Sequence, residues 1–219
     1  MTCYLRMHEV MVGVESLERE PDWDNVITEW RRATTVEDRN GALSGMAVEP
    51  VDIYDLPRTD LGRFNGLILS GRVDQEFLHQ ERAIIQDFLD GGKVVVFSGQ
   101  LFRPWLPGVG MFTSRESDPV DETSPPSISS HPIFEGIRAE DLGGNFVYAH
   151  GYHPPPEGTE TLVSLAGGEP VMYVDGNGTG GKVLMHTGHN LLGYAGTGES
   201  ARRLMPQLLS WVNREGARS

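Results

Sequence analysis

Two unbroken apolar segments flank a helical pattern in the middle of the chain. The apolar segments are residues 65–70 (NGLILS) and 93–98 (KVVVFS). Between them, residues 74–89 (DQEFLHQERAIIQDFL) place apolar side chains at helical spacing, with Asp74 as the expected N-cap. Strands that are apolar at every position have both faces covered. The pattern therefore predicts a parallel strand–helix–strand unit with a right-handed crossover, within a doubly wound α/β sheet.

Shorter apolar segments on either side of this unit predict further strands and two helices. The predicted strands lie near residues 3–14, 46–56, 145–149, 161–165, 170–174 and 181–186. The predicted helices cover residues 22–33 and 199–213. The Gly- and Asn-rich residues 175–181 predict the tight turn of a β-hairpin. Residues 100–130 are rich in Pro, Ser and acidic side chains, and we expect them to form an excursion or lid on a single domain spanning residues 1–219.

Length, charge and cysteine content narrow the class of protein. The 219 residues suit one domain with a substantial core, and 18 basic against 31 acidic residues give a net charge of −13. Because nucleic acids and inner membrane leaflets are also anionic, we expect neither as a partner. No apolar stretch reaches the ~20 residues of a membrane-spanning helix, and no signal peptide is evident. With Cys3 as its one cysteine, the chain has no internal disulfide framework, and we expect a cytoplasmic protein.

The predicted strands end in polar segments where α/β sheets usually bind ligands, beyond the carboxyl ends of the strands. Serine, histidine and glycine at such an edge are the residues that a nucleophile, a base and an oxyanion hole require. Ser98 is the candidate nucleophile, and His189 and His186 are the candidate bases. The candidate ligand-binding residues are Ser70, Gly71, Arg72, Gly99, Gln100 and Tyr152. Because the chain has no glycine-rich phosphate loop of a known nucleotide-binding type, we predict no cofactor.

These segments resemble, in the same order, motifs of the class I glutamine amidotransferase superfamily. Residues 65–71 (NGLILSG) resemble the strand that supplies an amide to the oxyanion hole. Residues 92–100 (GKVVVFSGQ) occupy the place of the nucleophile elbow, and residues 181–186 (GKVLMH) resemble the approach to the base histidine. The resemblance covers roughly residues 46–213 and implies a flavodoxin-like, doubly wound and mostly parallel sheet.

Three departures from the family pattern argue against glutaminase activity. The family's cysteine nucleophile falls on Ser98, its Pro-Glu pair falls on Thr187-Gly188, and its second oxyanion glycine falls on Arg72. The chain is most similar to the cysteine-lacking, trehalose-utilisation (ThuA-like) group of amidotransferase-like proteins. Motifs of that group resemble residues 131–137 (HPIFEGI) and 178–189 (GTGGKVLMHTGH). This resemblance implies a carbohydrate-related role.

Two His-x-x-His pairs, His150/His153 and His186/His189, offer an alternative chemistry. If the two loops meet, their four imidazoles converge, and Asp175 or Glu157 completes a metal site. Neither pair lies on a predicted helix, so the spacing alone does not place its members on one face. Our primary expectation is therefore a chain without a metal.

Three functional hypotheses follow from the sequence. The first is an amidotransferase-like binding or accessory module without glutaminase activity, which holds a small polar ligand such as a carbohydrate. The second is a hydrolase that uses Ser98 or a histidine-bound metal or water. The third is an interaction protein in a larger assembly, with residues 100–130 as its contact surface. The sequence leaves the oligomeric state open, and a homo-oligomer is among the alternatives.

Overall fold

The structure of the chain, a computed structural model, describes residues 10–15, 48–115, 125–143, 146–147, 151–192, 194 and 196–218. Cys3, the predicted helix at residues 22–33 and most of the predicted strand at 145–149 lie outside these ranges. The described residues form an α/β fold around a mixed sheet. No helix among them is long and apolar enough to cross a membrane.

Most of the strands form one eight-stranded sheet. In chain order the strands are β1 (Val10–Glu15), β2 (Val48–Asp52), β3 (Phe64–Ser70), β4 (Val94–Ser98), β5 (Thr113–Ser114), β6 (Ser127–Ile128), β7 (Gly151–Tyr152), β8 (Glu160–Ser164), β9 (Pro170–Asp175) and β10 (Lys182–His186). The order across the sheet is β2-β1-β3-β4-β10-β9-β8-β6, and β5 pairs with β7 in a separate ribbon. The predicted strands near residues 161–165, 170–174 and 181–186 are confirmed, with small shifts of their ends. The strand predicted over residues 46–56 is confirmed only for Val48–Asp52, because Ile53–Arg58 form a 3₁₀ helix.

The strand directions confirm the predicted unit but correct the expectation of a mostly parallel sheet. β3, β4 and β10 are parallel neighbours at the centre. β1, β2, β6, β8 and β9 join them through antiparallel pairings. One reason is the short connection between β9 and β10, since a connection of that length joins antiparallel strands. The predicted hairpin is thus confirmed, although residues 176–181 form a longer bend instead of a tight turn.

Within the described ranges, four α-helices accompany the sheet: α1 (Gln75–Gln80), α2 (Arg82–Asp90), α3 (Ala139–Leu142) and α4 (Leu204–Gly216). The predicted helix at residues 74–89 is divided, because Glu81 leaves the helical conformation with φ −94° and ψ 16°. The expected N-cap is confirmed, since the Asp74 carboxylate accepts the backbone N–H groups of Glu76 and Phe77 at 3.0 Å. The predicted closing helix starts as a 3₁₀ turn, Ser200–Arg203, and continues as α4.

Alternate residues of the central strands pack against different layers. Val94 and Val96 of β4 join the core that contains the apolar side chains of α4. Val95 and Phe97 join the core that contains those of α1 and α2. The strand end Ser98 continues the first of these series, so its side chain lies on the α4 face of the sheet. Helices on both faces therefore leave the carboxyl edge of β3, β4 and β10 as the place where loops meet.

Candidate functional site

The parallel centre of the sheet places three of the predicted residues in one row. Ser98 at the end of β4 is in register with Ser70 at the end of β3 and with His186 at the end of β10. Residues in register on neighbouring strands share a face of the sheet. The strand ends predicted from the sequence thus bring Ser70, Ser98 and His186 side by side, and the chemistry of the row depends on the surroundings of each group.

His186 is fully buried, and its ring packs against Phe146 with centroids 4.6 Å apart and planes at 36°. Burial lowers the pKa of His186 to about 3, although backbone groups of Phe146 and His189 oppose this shift. Neither ring nitrogen has a partner with hydrogen-bonding geometry among the described residues. Gly188 closes over the ring, since a Cβ there would lie 2.5 Å from its Nε2. His186 is thus a neutral imidazole enclosed by aromatic and backbone atoms.

Ser98 is 1% exposed, and its Oγ has no hydrogen-bond partner within the described part of the chain. It lies beside His186 in register, but no hydrogen bond joins the two side chains. An activated nucleophile needs its base within hydrogen-bond reach and a path for substrate. In this conformation Ser98 has neither.

The glycine amides at the same edge are already used. The backbone N–H of Gly71 donates to the carbonyl oxygen of Ser98 at 2.5 Å. The backbone N–H of Gly99 donates to the carbonyl oxygen of His186 at 2.9 Å. The two glycines touch, because a Cβ on Gly99 would lie 2.4 Å from the Cα of Gly71. Gly99 also has φ +144°, which favours glycine. These bonds continue the sheet past its strands, so the two amides do not face a bound oxyanion here.

The other predicted ligand contacts lie at the rim of this closed edge. Arg72 and His189 are exposed, while Gln100 and Tyr152 are half-buried. Arg72 forms no ion pair with any other described residue. The rim therefore has a cationic side chain and polar groups at the surface, next to Ser98 and His186, which are buried.

His153 has a role that the sequence did not indicate. Its Nε2 accepts the backbone N–H of Leu101 at 3.0 Å, and its Nδ1 lies 2.7 Å from the Oγ1 of Thr187. Because a backbone N–H only donates, Nε2 carries no proton, and Nδ1–H donates to Thr187. Burial lowers the pKa of His153 to about 4, which keeps the ring neutral. Both nitrogens are therefore occupied, and His153 fastens the segment after β4 to the segment after β10.

The four-histidine metal alternative gains no support from the described residues. His150 lies outside them, both nitrogens of His153 are hydrogen-bonded, and His186 is sealed. Among the residues that the structure places, no group of three His, Cys, Asp or Glu side chains is arranged to hold a metal ion.

Gln75 is a second residue that the sequence did not single out. Its side chain is buried, and its Nε2 donates to the carbonyl oxygen of Gln100 at 2.8 Å. Its Oε1 accepts the backbone N–H of Phe102, also at 2.8 Å. Gln75 and His153 thus hold the backbone of residues 100–102 through one carbonyl oxygen, that of residue 100, and two N–H groups, those of residues 101 and 102. The start of the predicted excursion is fixed to the domain, while residues 116–124 lie outside the described chain.

Comparison with known proteins supplies no family for this chain. The sequence matches no model of a known protein family, and a search of curated proteins finds no match. The function of the chain must therefore be inferred from its motifs, its strand-end geometry and the residues at the rim.

Proposed function

We propose that this chain is a non-hydrolytic binding or accessory domain with an amidotransferase-like, flavodoxin-like α/β architecture. The observation that carries the proposal is the closed strand edge. Ser98 is buried without a base, and the amides of Gly71 and Gly99 bond to neighbouring carbonyls. Catalysis of acyl transfer requires a nucleophile, a base and donors aimed at one space. The glycine amides are used in internal hydrogen bonds, and the buried side chains of Ser98 and His186 are not hydrogen-bonded to each other.

The sequence motifs support the same assignment. Ser98 stands where the resembled family has its cysteine, and Thr187-Gly188 stands where that family orients its base. The hydroxyl of Thr187 accepts a hydrogen bond from His153 instead. Thr187 thus takes part in holding two loop segments together. We also propose that the protein is cytoplasmic.

We propose that the ligand is small and polar, with a carbohydrate as the favoured class, and that it binds at the rim. Arg72 and His189 supply exposed polar groups, and the half-buried Gln100 and Tyr152 supply an amide and an aromatic ring. Arginine, amide and aromatic side chains together suit hydroxyl-rich or acidic sugars. The acidic character of the whole chain makes Arg72 the group most suited to attract an anionic sugar.

A hydrolase is the second candidate, and the register of the strands favours it. Ser98 and His186 are neighbours on one face, and the Ser98 Oγ and both His186 nitrogens have no described partner. A rearrangement that brought Oγ to a ring nitrogen would create a nucleophile and base pair. The two candidates differ in whether Ser98 reacts.

The proposal is tested first with L-glutamine and with sugars. We expect no release of glutamate from glutamine. We expect at least one probe among glucose, maltose, inositol and gluconate to raise the melting temperature. The shift should be reduced in Arg72→Ala and retained in Arg58→Ala, whose arginine pairs with Asp55 before β3. Glutamate release that Ser98→Ala abolishes would contradict the proposal, and shifts unaffected by Arg72→Ala would remove the rim as the binding surface.

A further inference from the structure

The bend between β9 and β10 contains an exposed Asn-Gly dipeptide, Asn177-Gly178. Among the described residues, nothing accepts a hydrogen bond from the backbone N–H of Gly178. A Cβ on Gly178 would crowd only the Asp175 carboxylate, at 3.3 Å, and would otherwise touch only the Cα of Gly108, at 4.0 Å. The Asn177 backbone is held in the bend by a 3.1 Å hydrogen bond to the Asp175 carboxylate.

We propose that Asn177 is a site of spontaneous deamidation in the folded protein. The backbone nitrogen of Gly178 attacks the side-chain Cγ of Asn177 and forms a C–N bond. The Cγ–Nδ2 bond breaks, and ammonia leaves with the proton from the attacking nitrogen. The product is a five-membered succinimide. Water opens this ring at either carbonyl and gives aspartate or isoaspartate, so the net change is amide plus water to acid plus ammonia, without oxidation or reduction.

Glycine in the second position makes this ring closure accessible. It has no Cβ to obstruct the attack, and its backbone reaches conformations that other residues avoid. The exposed Gly178 N–H has no acceptor among the described residues, which leaves the attacking nitrogen available. The reaction requires no second protein, and water is its only co-reactant.

The chain contains its own control, because Asn65-Gly66 is the same dipeptide inside β3. Asn65 is 8% exposed, and its Nδ2 donates to the Asn213 side chain at 2.8 Å. Gly66 is wedged against α4, since a Cβ there would lie 2.2 Å from Cγ1 of Val212. Extended, paired backbone cannot close the ring, so Asn65 is protected while the sheet is folded.

The modification would change the hairpin at a defined place. It adds a carboxylate two residues from Asp175, which is already buried at 4% exposure. The side chain of Asn177 lies beside the turn at Gly158, 3.1 Å from the position of a Cβ there. Isoaspartate also lengthens the main chain of the bend by one carbon. We therefore expect the bend that joins β9 to β10 to be less stable in the deamidated form than in the original chain.

The test is ageing of the folded protein at mildly alkaline pH, followed by peptide mass mapping and an isoaspartate-specific methylation assay. Aspartate and isoaspartate are expected at position 177 and not at position 65, whereas unfolding in denaturant should make Asn65 reactive as well. Asn40-Gly41 lies outside the described residues and is scored on its own peptide.

Two loop variants separate the chemistry from a general loosening of the bend. Gly178→Ala should slow the reaction at Asn177 by about tenfold or more, because the added methyl obstructs the attack. Gly176→Ala should leave the rate unchanged, since a Cβ there meets only the Lys182 side chain at 3.7 Å or more. Equal rates at Asn177 and Asn65 in the folded protein, or equal slowing by both variants, would overturn the proposal.

Discussion

Single buried side chains decide how the loops around the strand ends are held. His153 joins the backbone of Leu101 to the hydroxyl of Thr187, across segments that are far apart in sequence. Gln75 supplies a matching amide on the other side of the same segment. Buried hydrogen-bonding groups of this kind are costly to leave without a partner. Both residues therefore have structural roles that a variant can measure.

The neutral state of His153 predicts a pH dependence of stability. The unfolded histidine takes up a proton near pH 6.5, but the folded one does so only near pH 4. Between these values the unfolded state binds more protons, so stability is full above the upper value and falls as the pH falls. The loss attributable to His153 approaches ~3 kcal/mol at the lower limit. Urea unfolding at several pH values between these limits measures it.

Two variants assign that loss to His153. His153→Gln should make the dependence of unfolding free energy on pH shallower, because glutamine does not titrate, while the buried His186 keeps its own contribution. Gln75→Ala, which removes the other side chain that holds residues 100–102 and takes away no titrating group, should keep the slope of the original chain. Identical slopes for the original chain and His153→Gln would refute the assignment.

Replacement of Gln75 should cost stability without changing the helix that carries it. Gln75→Ala removes both hydrogen bonds to residues 100–102, and we expect a loss of roughly 1–3 kcal/mol in unfolding free energy. Gln80→Ala, at an exposed position of the same helix, should change it by less than about 0.5 kcal/mol. Equal effects in denaturant titrations of the two variants would show that the hydrogen bonds of Gln75 to residues 100–102 contribute nothing to stability.

The strands were the elements most readily predicted from the sequence. The burial of the residues at their carboxyl ends was the feature least readily predicted. Continuous apolar runs identified β3 and β4 as parallel neighbours, and the hairpin joining β9 to β10 followed from its glycines. The direction of β1 and the break at Glu81 did not follow, because periodicity carries neither strand direction nor local backbone angles. The row of Ser70, Ser98 and His186 was predictable. Its sealing was not, because it depends on Phe146 and on glycine amides far apart in sequence.

The contact between the two strand-end glycines gives a prediction about these elements. Gly99→Ala places a Cβ 2.4 Å from the Cα of Gly71 and forces alanine into a backbone angle of φ +144°. We therefore expect it to lower the free energy of unfolding by about 2 kcal/mol or more. Gly168→Ala is the matched control, because it also has positive φ but nothing within 4 Å of the added atom. Thermal unfolding should show the larger decrease for Gly99→Ala. A larger decrease for Gly168→Ala would mean that the strand ends are not in close contact.

At the scale of the whole molecule, both ends of the central strands are tied by polar contacts. At the amino ends, Lys93 donates to the carbonyl oxygen of Gly216 at 3.0 Å, and Lys182 pairs with Glu215 at 2.8 Å. These contacts place two cations at the C-terminus of α4, where its dipole favours them. At the carboxyl ends, the glycine pair and His153 close the edge. Arg72 remains exposed beside this closed edge, in keeping with the proposed domain that binds without hydrolysing.

The most direct measurement of that central claim is the reactivity of Ser98 toward an alkyl fluorophosphonate, followed by intact mass and peptide mapping. We expect no adduct on Ser98 in the native chain, so the reagent should add no mass to the native chain, just as it adds none to Ser98→Ala. A serine hydrolase treated in parallel should be fully labelled. A single adduct on Ser98 that is absent in Ser98→Ala and reduced in His186→Gln would contradict the account and establish a working nucleophile and base.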